Sequence, residues 1–318
     1  MIMKNMILTV IFLLCLNLVT NAQNKQYKIV TSDIDNFWAA YDSLEFAKST
    51  QDSIRIIQDN YIGNASRELL EFFKVRPSYT AERYVKVISL FPKFWKSLRP
   101  RTRLIKGLIP EISKIYSIYS QQLPNFQPPN VCFAIGAMSS GGTTTQNLVL
   151  IGTEIDAADS MTNTSEISGW LKQKVGKGNL QYKIPAIVAH EIVHTQQKKP
   201  RRRTLLWKAI QEGSADFIPK LLLGYQNNLR VFKYGKEHEC ELWKLFKQDL
   251  NDVKTINTWF YSTVNNRPAD MGYFIGSEVC KAYYDNMKNK KEALKTILKT
   301  TNYKAVLKRS RYMGQCSY

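Results

Sequence analysis

Ile187-Val188-Ala189-His190-Glu191-Ile192-Val193-His194-Thr195 is the stretch from which the rest of the chain can be read. The residues around its HExxH core are apolar, so the run reads as a helix set into a hydrophobic interior. At about 100° per residue, His190 and His194 fall roughly 40° apart on one helical face. Two imidazoles so placed can reach one tetrahedral zinc, and Glu191, one position along, can hold a water without itself being a ligand.

Working outward, the site needs a third ligand at a workable distance. Glu212 stands 18 residues beyond His194 in Gln211-Glu212-Gly213-Ser214-Ala215-Asp216, on a second helix expected to pack against the first. Pro200 and its flanking cations supply the turn between them. Asp216 follows Glu212 by four residues, hence shares its face. It can accept the second N–H of a ligand histidine, and His190 is the expected partner. Gly213 and Ala215 keep this helix slim, which is expected to let the two zinc helices approach closely.

Upstream, Leu123-Pro124-Asn125-Phe126-Gln127-Pro128-Pro129-Asn130 breaks helix, and Val131–Met138 and Leu148–Glu154 are rich in β-formers. These predict two strands joined through Ser139-Ser140-Gly141-Gly142-Thr143-Thr144-Thr145, a connector without the Lys-Ser/Thr ending of a phosphate loop. From about Ile34 to Gln122, and again from Ile184 to about Leu307, apolar residues recur at helical spacing. The reading is one domain over 23–318, with a helical N-terminal part (23–125) and a zinc-site part (126–318). Its class is α+β, with a helical majority and a small, mostly antiparallel sheet.

Residues 1–22 carry one early charge, Lys4, then an apolar run from Met6 to Val19 and the small-residue ending Thr20-Asn21-Ala22. That is the pattern of a secretory signal peptide cut after Ala22, placing the mature chain in the periplasm or outside the cell. Lipid attachment at Cys15 is the alternative, although Leu14 stands where such sites take a small residue. Cys132, Cys240, Cys280 and Cys316 follow, an even set that permits disulfides or buried thiols in an exported chain. With 45 Lys and Arg against 26 Asp and Glu, the formal charge is +19 over 318 residues. Lys198-Lys199-Pro200-Arg201-Arg202-Arg203 is the densest basic run; it is either a solvated turn or a contact for acidic peptides or an anionic membrane surface. Nucleic acid is not expected as a partner, because the chain is exported and carries no recognisable binding module. The order of any oligomer is not legible.

One further motif, Gly272-Tyr273-x-x-Gly276, completes a pattern with HExxH and with Trp207 ahead of Glu212-Gly213-x-Ala215-Asp216. HExxH followed by ExxxD resembles the gluzincin metallopeptidases. The fuller pattern is similar to a family of bacterial predicted zinc-dependent proteases, a group related to a lipoprotein of the gliding-motility machinery. The resemblance covers roughly Val131 to Tyr284 and implies a zincin-like fold with Zn2+ as cofactor and a peptide or protein substrate. By this resemblance His190, His194 and Glu212 are the metal ligands, Glu191 is the general base and Asp216 orients a ligand histidine. Tyr273 is the expected oxyanion donor, with His238 and Tyr261 as fallbacks. It also implies an edge strand above the metal that pairs with extended substrate, and Leu148 to Thr153 is the expected edge. A zinc-containing envelope structural or assembly protein without turnover is the alternative function.

Overall fold

The structure, a computed structural model, describes residues 26–198, Pro200 and residues 202–316. The signal-peptide residues, Cys15, and Lys199 and Arg201 of the basic run lie outside the described residues. The N-terminal part comprises β1 (Ile29–Val30), α1 (Ser32–Ser43), α2 (Thr50–Ile57), α3 (Arg67–Val75), α4 (Ala81–Leu90), α5 (Pro92–Arg103) and α6 (Ile109–Gln122). The middle holds β2 (Asn130–Ala134), β3 (Gly142–Thr144), β4 (Leu148–Gly152), α7 (Thr153–Asp156), α8 (Gly169–Lys174), α9 (Leu180–Gln196) and α10 (Leu205–Leu223). The remainder is helical: α11 (Leu229–Glu237), α12 (Glu239–Asp249), α13 (Ile256–Phe260), α14 (Met271–Asn286), α15 (Lys290–Lys299) and α16 (Tyr303–Ser310). Among the described residues no helix is long and apolar enough to cross a membrane.

The helical majority with a small sheet is as expected, but the sheet is mixed rather than mostly antiparallel. Its order is β1-β2-β4-β3, with β1, β2 and β4 parallel and β3 antiparallel at one edge. The two expected strands, β2 and β4, are therefore not a hairpin. The Gly- and Thr-rich connector contains β3, and the hairpin is β3–β4, turned where the Thr145 N–H donates to the Leu148 carbonyl at 2.9 Å. Leu148 to Gly152 is buried throughout, because a strand with parallel and antiparallel neighbours and both faces covered has no solvent side. That overturns Leu148 to Thr153 as the edge strand; the edge is Gly142–Thr144.

One apolar core runs from Ile34 to Tyr312, and the N-terminal helices join it through the sheet. Tyr61 and Tyr84, fully buried and packed edge-on against each other at 5.4 Å, both donate their hydroxyls to the Ile135 carbonyl, at 2.6 and 2.9 Å. The helix α9 packs on β3, β4, α6 and α10, so its HExxH face is pinned between sheet and helix. Asn179 caps its start by accepting from Gln181 N, and Thr204 caps α10 by accepting from Trp207 N. The helix α10 ends at Gly224, which takes φ 77°, the left-handed C-terminal stop that suits glycine.

Gly213, expected to let α9 and α10 approach closely, serves instead the approach of α10 to α14. A Cβ on Gly213 would sit 2.1 Å from the Gly276 carbonyl carbon, and one on Gly276 would sit 1.7 Å from the Ala209 oxygen. The backbones touch there, which accounts for both glycines and draws Tyr273 toward the ligand helix. Cys240 and Cys316 form a disulfide, while Cys132 and Cys280 are buried thiols.

Candidate metal centre

His190 and His194 project from α9 toward Glu212 on α10, and these three form a set of converging ligand atoms. His190 Nε2 and His194 Nε2 are 3.1 Å apart, and Glu212 Oε2 lies 3.5 and 3.2 Å from them. Metal–ligand bonds of about 2.0–2.2 Å in a tetrahedron place ligands roughly 3.3–3.5 Å apart. The donor set fits that shape.

Hydrogen bonding decides which ring nitrogens carry protons. His190 Nδ1 lies 2.8 Å from Asp216 Oδ1, an acceptor, so Nδ1 holds the hydrogen and Nε2 presents a lone pair. His194 Nδ1 lies 2.9 Å from Gln197 Oε1. Gln197 Nε2 donates to the Gln211 carbonyl and to Ser214 Oγ, at 2.7 and 2.9 Å, which fixes its oxygen toward the histidine. Two Nε2 atoms, each free to give a lone pair once deprotonated, and a carboxylate thus converge in a buried pocket. Burial disfavours charge on both rings, yet the Asp216 and Glu212 carboxylates outweigh it, raising His190 well above and His194 above the usual histidine range. The carboxylates that favour a second proton on these rings would equally favour a metal ion in its place, and the three groups could hold one.

The surrounding groups complete the geometry. Glu191 is buried beside the ligands, under β3, where a Cβ on Gly142 would come 2.5 Å from its Oε1. Burial raises its pKa while His194 and His190 pull it back. Lys208, one turn before Glu212, donates to Glu212 Oε1 at 2.6 Å, leaving Oε2 for the ligand position. Burial would raise the Glu212 pKa, but His194, His190 and Lys208 together hold it well below the carboxylate range. Tyr273 sits in the first turn of α14 with its ring 6.3 Å from that of His190, packed on Phe260 at 5.2 Å. Gly272 passes against the Phe260 ring, which sets that ring's place.

Of the two fallback donors, Tyr261 stands exposed on the rim of the cleft. His238 is turned away, stacked on Tyr234 at 4.2 Å, and is not part of the cleft lining. Asp216 is where the sequence places it, on His190. Gln197 and Lys208 were missed by sequence reasoning, although Lys208 carries the same four-residue signal that identified Asp216.

The site opens into a cleft of about 2100 Å³ bordered by β3, α9, α10, α11 and the start of α14. Lys198 of the basic run lines it. Comparison with known proteins bears on the family. No curated protein and no solved structure matches the chain. A family model described as Gliding motility protein GldB, designated a lipoprotein family, matches residues 20–314. This corrects the expected membership in a metallopeptidase family: the shared features were three short stretches around a zinc-shaped ligand set, whereas this match spans nearly the whole chain. Export to the cell envelope accords with a lipoprotein family, and the chain belongs to the gliding motility protein GldB family.

Proposed function

We propose that this chain is an exported, zinc-dependent hydrolase of peptide bonds. The observation that carries the proposal is the convergence of two Nε2 lone pairs and one Glu212 oxygen within 3.1–3.5 Å of one another, with a buried glutamate alongside. The chemistry that zinc supplies when bound is Lewis acidity toward a carbonyl and toward water.

The chain's own residues do the rest. Glu191, its proton affinity raised by burial, accepts a proton from the attacking water and passes it to the leaving amine. Tyr273 donates its phenolic hydrogen to the negative charge developing on the carbonyl oxygen. Asp216 and Gln197 hold the two imidazoles in the tautomer that presents Nε2. The edge strand Gly142–Thr144 offers unpaired backbone groups to an extended substrate. A lipid anchor at Cys15, the only cysteine before the described residues, suits the lipoprotein family better than a freely released form.

The family match favours a second reading, an assembly protein that keeps a zinc-stabilised fold without turnover. One set of measurements separates the two. Elemental analysis of untagged protein is expected to give one zinc per chain, lost in His194→Ala and Glu212→Ala. Glu191→Gln is expected to keep its zinc and lose at least about a hundredfold in cleavage of a peptide library read by mass spectrometry. Equal cleavage by Glu191→Gln and wild type removes the hydrolase mechanism. No cleavage by zinc-loaded wild type leaves the assembly role, and no zinc at all removes both.

A further inference from the structure

The cleft is lined by cations that the site chemistry does not use. Lys208 is engaged by Glu212 and Lys174 by Asp270. Arg76, Lys177, Lys198, Arg230, Lys233 and Lys299 also line the cleft, and among the described residues none of the six makes an ion pair. On the acidic side, Asp156 faces Lys183, Asp270 faces Lys174, Asp216 holds His190, and Glu237 also lines the cleft.

Their placement follows the edge strand. Arg76 donates to Ser140 Oγ at 3.0 Å, and that hydroxyl donates to the Gly142 carbonyl at 2.9 Å, so this guanidinium stands at the Gly142 end of β3. Its Nε is buried with no hydrogen-bond partner among the described residues. Toward the Thr144 end, the β3–β4 turn is held to β2 through Asn130 N and the Asn147 carbonyl. The chain just before β2 reaches α9 through paired hydrogen bonds between Gln127 and Gln196. Lys299 donates to the Gln196 carbonyl, and Lys198 follows two residues later with its N–H on the Leu298 carbonyl at 3.0 Å. Arg230 and Lys233 occupy the start of α11 on the opposite bank. Between these cations the lining mixes amides and hydroxyls with the rings of Tyr182, Tyr234, Tyr261 and Tyr273 and a few aliphatic side chains.

We propose that the ligand of this cleft is an extended acidic peptide, laid along Gly142–Thr144 with Asp or Glu side chains on both sides of the metal centre. Arg76 meets carboxylates at one end, Lys198 and Lys299 at the other, and Arg230 and Lys233 across the cleft. Six lining cations without an ion-pair partner among the described residues give the cleft a positive field, so charge sets the preference. This rests on the peptide-hydrolase reading for the chemical nature of the ligand, but it concerns binding and is tested without turnover.

The test uses zinc-loaded Glu191→Gln protein and fluorescein-labelled decapeptides identical except that the flanking positions are Glu, Gln or Lys. Fluorescence anisotropy should give the Glu peptide a roughly tenfold lower Kd than the Gln peptide, the sum of two or three exposed ion pairs of modest strength. That advantage should shrink as NaCl rises from about 0.05 to about 0.5 M. Lys198→Gln with Lys299→Gln, both exposed, should lose the preference for acids on one side of the peptide and keep it on the other. Equal Kd for the three peptides, no effect of the double variant, or displacement by an acidic polysaccharide as readily as by polyglutamate would overturn the proposal. Acidic peptides that bind but are never cut by wild-type enzyme sustain it and remove the hydrolase reading instead.

Discussion

Gln197 holds the second histidine by its side-chain oxygen, and that oxygen is held in turn because its amide nitrogen donates to Gln211 and Ser214 on the facing helix. One side chain therefore sets the tautomer of His194 and joins the two ligand helices. Gln197→Ala removes both effects, and zinc affinity is expected to fall about 10–100-fold, the usual consequence of losing an outer hydrogen-bond partner. Competition against a chromophoric chelator measures it; an affinity within twofold of wild type would show that His194 needs no such support. Periodicity made much of this site legible. The positions i and i+4 place His190 with His194 and Glu212 with Asp216, and tetrahedral coordination restricts what spacing can join them. The same restriction explains the misassigned family, since an HExxH helix followed by a glutamate helix is the geometry a zinc needs, whatever the ancestry. Gln197 was not legible, because it follows the end of α9 in extended backbone, φ −80° and ψ 147°, where no helical rule says what it faces.

The tie between β2 and β4 contains a second element-level device. Glu154, in the short helix that follows β4, accepts from Gly136 N at 2.6 Å and Met138 N at 3.1 Å, fastening the chain that leaves β2. Burial pushes its pKa to about 7, against the pull of those two N–H groups, and Tyr79 and Asp156 face it as well. A folded-state pKa above the unfolded value of 4.5 means the native protein binds the proton more tightly. Stability from this group is therefore present at low pH and is lost as pH rises from about 4.5 to about 7, by roughly 3 kcal/mol in all. Urea unfolding of metal-free protein at pH 5 and pH 8 should show that loss in wild type and a much smaller one in Glu154→Gln. Asp156, raised to about 6 by burial, titrates in both proteins and cancels in the difference. Parallel pH dependences would remove the assignment. The sheet itself was only half legible. Leu148-Val149-Leu150-Ile151 is an unbroken apolar run, the signature of a strand covered on both faces, and the resemblance that implied an edge there ran against that signal. Thr- and Gly-rich Gly142–Thr144 looked like a loop, because an edge strand paired on one side needs little apolar surface. Strand direction leaves no local trace, so the parallel β2–β4 pairing was not legible at all.

For the whole molecule, the Cys240–Cys316 disulfide fixes the last described residues to α12 and closes a loop of sequence separation 76 that includes Tyr273 and Gly276. The ligands His190, His194 and Glu212 all precede that loop. The C-terminal segment is also packed without the bond: Gly314 lies against the Trp243 side chain, the Tyr312 ring meets Trp243 edge-on at 4.9 Å, and its hydroxyl donates to Glu239 at 2.9 Å. Reduction should therefore lower stability through the unfolded chain more than it disturbs the folded one. Closing a loop of this length removes unfolded-state entropy worth about 4 kcal/mol at 25 °C. Cys316→Ser, or mild reductant on the wild type, is expected to lower Tm by several degrees in calorimetry and, if the proposed zinc is bound, to leave it in place. Cys132 and Cys280, both buried, should stay unreactive to a thiol reagent until the protein unfolds, so only the disulfide responds in the folded state. An unchanged Tm would show that the packing of Tyr312 and Gly314 already holds the C-terminus. Loss of zinc on reduction would show instead that the placement of α14, and with it Tyr273, is coupled to the ligand helices through the Gly213–Gly276 contact. The oxidising envelope in which a lipoprotein family resides is the compartment where this bond persists, so the expected penalty falls on protein that fails to be exported.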